Sequence, residues 1–409
     1  MKRYIHYILL IFVLFFIVNG CATHRAQEVG PTPILQAQEE IAETELLDVG
    51  IMVFQSSELT EEKAKEEGTH PEIRNAEVHF MPYHLNNTLQ QSSHWGAVRV
   101  IPDENAAVDL MVKGEVLESN GEHLILKVDV VDAAGNIWMS KAYEAEADEK
   151  NYADNVLGEK DAYQDLYNTI ANDMAAYKGE LSPAEIQTIR TVSKLRFAAD
   201  FAPDAFDNYL TKDEDNIITL NRVPADDDPM IERLLRIRER DHMYVDTLNE
   251  YYEVFYNEMW PPYEDWRKAN FVEQTARRQI KRDALVRQIV GALMVAAAIG
   301  LGAGDVSGTA ALQSLLIVGG GAVFVNGINI SKEAEIHSAA IQELSESFGN
   351  EMKPMVMEFQ GEKYELTGSA EEQYTRWREL LRKIYYSETG FVEPDAPEKE
   401  PPEGEQSSP

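Results

Sequence analysis

The chain has 409 residues, enough for two or three domains with sizeable hydrophobic cores. It carries 71 acidic and 37 basic residues, a net charge of −34, which argues against general nucleic-acid binding because neutralising phosphates requires basic surface. The single cysteine, Cys21, excludes an intramolecular disulfide and a metal site built from several thiolates.

The first 20 residues have the pattern of a secretory signal peptide. Lys2 and Arg3 precede an unbroken apolar run over residues 7–18, and the run is followed by small or polar residues. A segment of this kind is removed from the mature protein, so we exclude it from the fold.

The end of this segment, VNGC at residues 18–21, resembles the lipobox of bacterial lipoproteins. The resemblance implies cleavage between Gly20 and Cys21 and lipidation of the Cys21 thiol. Ala22 at the next position implies sorting to the outer membrane, where acyl chains would hold the protein on the periplasmic side. The alternative is an uncleaved membrane anchor, but the position of the only cysteine favours lipidation. Residues 21–44 are polar and contain prolines, which predicts a tether.

Residues 45–179 predict an α/β domain. Apolar runs at 46–54 and 95–101 indicate buried strands on either side of a helix at about 73–91. Alternating apolar residues over 108–116 and 124–130 indicate two more strands, and Asn120-Gly121 between them is a strong hairpin signal. With a further strand at 137–145 and a helix at about 163–177, the pattern predicts a mostly antiparallel sheet covered on one face.

This order of elements resembles the small periplasmic α/β domains of bacterial lipoproteins, such as the curli secretion channel subunit and the lipoprotein activators of penicillin-binding proteins. The resemblance rests on the segments VGIMVF, WGAVRVI, AVDLMVKGEVLES and VVDAAGNIW, over roughly 100 residues. It implies a domain that binds partners or assembles without catalysis, and it assigns no functional residue. The overall layout also resembles proteobacterial lipoproteins of no assigned function.

Residues 180–287 predict a helical region. Ser182 and Glu185 form a capping box at one helix start, and Pro229 begins a longer helix. We expect Pro261-Pro262 to end that helix, because proline lacks a backbone donor and clashes with the preceding turn. Seven aromatic residues in this region suggest either a ligand cage or, as we favour, a helix–helix core: Tyr251, Tyr252, Phe255, Tyr256, Trp260, Tyr263 and Trp266.

A basic cluster directly precedes the most apolar part of the chain. Two interpretations stay open: these side chains contact anionic lipid headgroups, or they pair with the abundant carboxylates. The residues are Arg277, Arg278, Lys281, Arg282 and Arg287.

Residues 288–331 predict an apolar helical hairpin, with Asp305 as the single ionisable residue at the reversal. The first arm, about 16 residues, is short for a bilayer span of roughly 20. We therefore expect close packing or self-association more than spanning, and leave open whether the facing surface is protein or lipid. A stripe of small residues at every fourth position would allow this packing: Ala292, Ala296, Gly300, Gly304 and Gly308.

The remaining residues predict a helix, a short β-hairpin around Gln360-Gly361 and a terminal helix capped by Ser369, all within 332–390. The proline-rich, acidic tail from 391 to 409 has the composition of a disordered segment.

Catalytic signatures are missing from the sequence: no phosphate loop, dinucleotide fingerprint, G-x-S-x-G elbow or H-E-x-x-H motif occurs. His79, His84 and His94, with His70 nearby, form the densest histidine group, and we interpret them as solvated or hydrogen-bonded because their spacing fits no metal motif.

We therefore predict an α+β, non-enzymatic outer-membrane lipoprotein with no cofactor and no metal. Its partners would be the membrane, through the N-terminal lipid, and an envelope protein, with a homo-oligomer as a further possibility. The alternatives are an oligomeric secretion or transport component with membrane-embedded hairpins, and an envelope hydrolase.

Overall fold

The computed structural model of the protein describes residues 26–57, 59–153, 160–206, 208–225, 228–300, 337–348 and 354–390. Its class is α+β, as predicted: a mixed sheet lies in the N-terminal half, and a larger helical region follows. The predicted signal peptide, the distal part of the predicted hairpin and the acidic tail lie outside the described residues.

Seven strands form the main sheet, in the order β1-β7-β6-β5-β2-β4, with β3 also paired to β5. Alternating buried residues along β5, β6 and β7 give the sheet a buried face, as the sequence pattern predicts. The strands are β1 (Gln27–Glu28), β2 (Val49–Met52), β3 (Gln55–Ser56), β4 (Val98–Ile101), β5 (Leu110–Ser119), β6 (His123–Asp132) and β7 (Ile137–Glu146).

The sheet is mixed: its two longest pairings are antiparallel, as predicted, and its other pairings are parallel. Only β5–β6 and β6–β7 pair antiparallel, because tight turns join them. The chain passes from β2 to β4 through a long helix, and such a crossover places the two strands parallel. β5 then pairs with the other side of β2, again parallel.

Each edge of this sheet has a partner over part of its length within the described residues. At one edge β1 pairs parallel to β7. At the other edge the Asn249 side chain takes the place of a strand: its Oδ1 accepts the Val100 N–H at 2.8 Å, and its Nδ2 donates to the Val100 carbonyl at 2.9 Å. Next to Asn249, the Arg99 guanidinium forms a bidentate ion pair with the Asp246 carboxylate. An exposed edge is a template for pairing with other chains, and the Asn249 amide blocks such pairing at Val100.

Eight helices lie within the described ranges: α1 (Glu61–Glu67), α2 (Pro71–Ser92), α3 (Gln164–Glu180), α4 (Pro183–Phe201), α5 (Pro203–Phe206), α6 (Pro229–Gly300), α7 (337–348) and α8 (Ala370–Thr389). Capping boxes at Ser182 and Ser369 begin α4 and α8, as predicted. Two short hairpins complete the fold: β8 (Leu210–Lys212) with β9 (Ile218–Leu220), and β10 (Met355–Phe359) with β11 (Glu362–Leu366).

Helix α6 continues through Pro261-Pro262, so the predicted end at this pair was wrong. A proline inside a helix costs about 3 kcal/mol. Burial around the pair opposes that cost: Met259, Tyr263 and Trp266 are each at most 1% exposed. Fully burying large apolar side chains contributes about 1.5–3 kcal/mol each, so tertiary packing outweighs the local penalty.

The α/β and helical parts share their hydrophobic cores. Phe255, Met259, Tyr263 and Trp266 of α6 belong to the same buried cluster as the inward residues of the sheet. A second cluster joins α4, α6 and α8 to Val100 and Ile101 of β4. The predicted boundary near residue 180 therefore does not coincide with a gap in the packing.

Residues 26–44, within the segment predicted as a tether, lie against this body. Besides β1, the Leu35 N–H donates to Asn172 Oδ1 at 2.8 Å, and the Ala37 N–H donates to the Ser92 carbonyl at 2.9 Å. Only residues 22–26 then remain between Cys21 and β1, a span of at most about 20 Å.

Candidate functional sites

The predicted lipidation and cleavage residues, Cys21 and Gly20, lie outside the described residues, but the direction in which the chain leads toward them is defined. β1 runs parallel to β7, with Gln27 opposite Tyr143. At its first residue β1 therefore points toward the end of the sheet where β7 begins at Ile137, while β1 itself pairs near the other end of β7.

Helix α6 leaves the body at the opposite end of the sheet. It passes first by the beginning of β5, where Arg238 donates to the Ala107 carbonyl at 3.2 Å. It then reaches the β5–β6 turn, where Arg278 pairs with Glu122 and with Glu146 at the end of β7. Residues 279–300 extend beyond that contact, about 33 Å at 1.5 Å per residue.

The two arginines at the start of the predicted basic cluster pair with carboxylates. Arg277 pairs with Glu273 one turn earlier in α6, and Arg278 pairs with Glu122 and Glu146. Arg282 is exposed, and Lys281 and Arg287 also lie on α6. For Arg277 and Arg278 the geometry agrees with carboxylate pairing.

The predicted stripe of small residues begins on α6. Ala292, Ala296 and Gly300 fall on this helix, whereas Gly304 and Gly308 lie outside the described residues. Among the helices in the described ranges, none has the length and apolar character needed to cross a membrane.

The predicted histidine group does not converge on a metal site in the described part of the chain. His79 Nδ1 lies 2.9 Å from the Asn75 carbonyl oxygen, and His84 has side-chain partners. One other set of potential ligands, Glu122, His123 and Glu146, has its donor atoms within 4.8 Å of one another. Since Arg278 contacts both of these carboxylates, a guanidinium already provides the cation there.

A buried ion pair lies beneath the surface between α3 and α6. Arg267 Nη1 is 2.7 Å from Asp161 Oδ2, and both side chains are at most 2% exposed. Burial alone would raise the pKa of Asp161, but the attraction of Arg267, together with His84 and the Tyr163 backbone N–H, holds that pKa below its ordinary value. The Arg267 guanidinium also lies 4.4 Å from the centre of the Tyr263 ring, a cation–π distance.

Glu77 lies in a second buried polar group next to this pair. Its carboxylate accepts hydrogen bonds from Ser119 Oγ at 2.5 Å and Tyr263 Oη at 2.7 Å, and Arg74 Nε is 3.3 Å away. Burial raises the pKa of Glu77, while Arg74 and the two hydroxyls oppose the rise. These contacts fix α2, β5 and α6 to one another.

An open cleft of about 960 Å³ lies beside the buried pair, between α2, α3 and α6. Its lining is rich in uncharged hydrogen-bonding groups. Six side-chain amides contribute: Asn87, Gln90, Gln91, Gln164, Asn168 and Asn257. The rings of Tyr256 and Trp260 form an aromatic part of the wall, with centres 5.4 Å apart.

A directional chain of hydrogen bonds organises the floor of the cleft. Gln164 Oε1 can only accept, so His84 Nε2 carries the proton and donates to it at 3.0 Å. His84 Nδ1 then accepts from the Tyr256 hydroxyl at 2.7 Å. Gln164 Nε2 donates onward to Asn168 at 3.0 Å, and Asn168 donates to the Thr32 carbonyl at 2.8 Å. Burial lowers the pKa of His84, consistent with a neutral ring.

Sequence reasoning missed this cleft. Tyr256 and Trp260 belong to the predicted aromatic set, and they line it, whereas Tyr252, Phe255, Tyr263 and Trp266 lie in the core. The signal that could have found it is the repetition of amides one helical turn apart, at 87 and 91 and at 164 and 168.

A second cavity, between α6, α8 and the β10–β11 hairpin, has different chemistry. It measures about 480 Å³ and is lined by thioether, aliphatic and aromatic side chains, including Met243, Met355, Met357, Phe359 and Trp377. The Arg240–Glu388 ion pair, 3.0 Å, lies at its rim. These two cavities in the described part of the chain thus differ in chemistry: the first is an amide-lined cleft and the second an apolar groove.

Comparison of the chain with protein-family models, with curated proteins and with solved structures gave no match. The functional argument therefore depends on the residues and geometry described above.

Proposed function

We propose that the protein is a non-enzymatic lipoprotein of the outer membrane, facing the periplasm and serving as a partner-binding scaffold. In this proposal Cys21 carries the lipid, and the α/β body is held within about 20 Å of the membrane surface by the short segment before β1. Helix α6 presents the apolar segment beginning near residue 288 to a protein partner away from that surface.

The opposite directions of β1 and α6 along the sheet support this proposal most directly. A lipid-anchored protein whose apolar segment entered the same membrane would direct both chain segments to one side. Here β1 at its first residue points back toward the beginning of β7, whereas α6 runs past the end of β7 at Glu146. Gln27 lies opposite Tyr143, so the two segments differ in direction and not in their distance along β7.

The anchoring claim predicts a specific loss of lipid. Cells fed radiolabelled palmitate should label the wild-type chain and leave Cys21→Ala unlabelled. When residues 1–21 are replaced by a cleavable secretory signal without a lipobox, the chain should be recovered in the soluble periplasmic fraction. Equal membrane association of wild-type and unlipidated chains would refute anchoring through Cys21 and would assign membrane binding to another segment.

The partner claim predicts crosslinks on the distal part of α6. Ile280 lies beyond the β5–β6 turn and is 51% exposed, whereas Val254 lies on the same helix over the body and is 55% exposed. A photo-crosslinking amino acid at position 280 should capture an envelope protein in intact cells, and the same group at 254 should not. Capture of a second copy only would favour the homo-oligomer, and equal yields at both positions would contradict a distal partner surface.

A further inference from the structure

The amide-lined cleft has the features of a ligand site that neither the lipid anchor nor the distal helix requires. Its volume, about 960 Å³, falls at the upper end of the range for small-molecule sites. Gln91 and Asn257 are exposed at its mouth, and their side-chain amides donate no hydrogen bond to any described residue. Each amide offers both donors and an acceptor, so these two residues retain hydrogen-bonding capacity for a ligand.

The charge of the lining favours an uncharged ligand. Lys160 and Asp161 are its charged members, apart from the neutral His84. Lys160 pairs with Asp165 at 2.9 Å, and Asp161 pairs with Arg267. Both charged side chains of the lining are therefore already in ion pairs, so the cleft offers a charged ligand no unpaired opposite charge among the described residues.

The combination of amides with aromatic rings favours a polyhydroxylated ligand. Hydroxyl groups of a sugar both donate and accept, as do amides, and the C–H faces of a sugar ring pack on aromatic rings. Trp260 is partly exposed, and its ring is stacked on that of His84, with centres 5.7 Å apart. The hydrogen-bond chain through His84 and Gln164 holds the polar floor in one arrangement before any ligand arrives.

The cleft is less suited to binding an extended peptide. Extended peptides commonly bind by adding a strand to an open sheet edge. The cleft is built from helices, and the described residues that line it include no strand for such a peptide to pair with. We propose that the cleft between α2, α3 and α6 binds a neutral oligosaccharide through Gln91, Asn257 and the Trp260 ring.

Titration calorimetry on the full-length protein tests this assignment, in a zwitterionic detergent because sugar-based detergents would compete. Three soluble trisaccharides serve as probes: the β-1,4-linked trimer of N-acetylglucosamine, cellotriose and maltotriose. Trialanine serves as the peptide probe. At least one trisaccharide should bind saturably, and the tightest of the three distinguishes an acetamido sugar from a plain glucan.

Variants at the cleft mouth identify the site. Gln91→Ala with Asn257→Ala should weaken trisaccharide binding about ten-fold, because each change removes one or more hydrogen bonds to ligand. Trp260→Leu should abolish detectable binding. Met243→Ala, in the apolar groove, is the matched control and should bind as the wild type does. Because Gln91 and Asn257 are exposed, their replacement should leave the thermal midpoint unchanged, which separates binding from folding.

Three outcomes would overturn the assignment: no trisaccharide binds, binding is unchanged in the Gln91/Asn257 double variant, or trialanine binds in their place. None of these outcomes depends on lipidation or on a distal partner, so this test is independent of the proposed function.

Discussion

Replacing Arg267 with methionine is expected to lower the free energy of unfolding by about 3–5 kcal/mol, because it leaves the buried Asp161 carboxylate without its partner. The two groups are 2.7 Å apart and at most 2% exposed. Denaturant unfolding monitored by circular dichroism measures the loss. Adding Asp161→Asn should restore part of the stability, since a neutral amide costs less to bury than an unpaired charge.

The loss caused by Arg267→Met should shrink as the pH falls. In the wild type the pKa of Asp161 is below its ordinary value, so this group contributes stability above that value and loses it only in strong acid. In the variant burial is no longer opposed by Arg267, and the folded-state pKa rises above the unfolded-state value. As the pH is lowered, the Asp161 carboxyl is then protonated in the folded state at a higher pH than in the unfolded state. This uptake stabilises the folded state relative to the unfolded state. The loss should therefore be smaller at pH 5 than at pH 7.5.

An exposed ion pair of similar length provides the control. Lys113 and Glu104 are 2.8 Å apart, and their side chains are 41% and 63% exposed. Lys113→Met should cost less than about 1 kcal/mol, because water screens such pairs. If Arg267→Met costs no more than Lys113→Met, the buried pair does not stabilise the junction between α3 and α6.

Gly121→Ala is expected to cost about 3 kcal/mol, through backbone strain and a clash with α6. Gly121 has φ of +78°, and a Cβ at this position would lie 2.4 Å from the carbonyl oxygen of Arg267. The neighbouring atom is backbone, so α6 itself would have to move away from the β5–β6 turn. Thermal and denaturant unfolding of the variant measure the effect.

Two other glycines separate the effect of backbone strain from the effect of the clash with α6. Gly361 has φ of +80° but no atom within 4 Å of its Cβ position, so Gly361→Ala should show only the strain, about 1 kcal/mol. Gly179 in α3 has open space and an ordinary φ, so Gly179→Ala should stabilise by about 0.5–1 kcal/mol. An effect at Gly121 no larger than that at Gly361 would mean that the approach of α6 to the turn is loose.

Local patterns were sufficient to predict the strands and several helix starts. Alternation over β5 and β6, the turn at Asn120-Gly121 and the capping boxes at Ser182 and Ser369 depend on neighbours in sequence, and the structure contains all of them. The parallel pairing of β2 with β5 and the added strand β1 depend on where distant segments meet. No local pattern contains that information.

Helix α6 and the cleft also show where local sequence patterns fail to predict the structure. At Pro261-Pro262 the local signal to stop is strong, but burial of the flanking side chains against α2 and the sheet overrides it. In the cleft, amides that look like ordinary surface residues in each helix gain significance only because α2, α3 and α6 converge. His84, considered in sequence as one of a possible metal set, instead organises a hydrogen-bond chain to Tyr256 and Gln164.

The parallel pairing of β1 with β7 also has a mechanical consequence. A pull on residue 26 along β1 would act on both strands together, because they are parallel to each other. Their bonds, including the 2.8 Å bond from the Val29 N–H to the Glu144 carbonyl, are then sheared together and not opened one after another. The bonds of Leu35 to Asn172 and of Ala37 to Ser92 lie next along the chain. A pull of this kind would be resisted first at β1, the short strand at the start of the described chain.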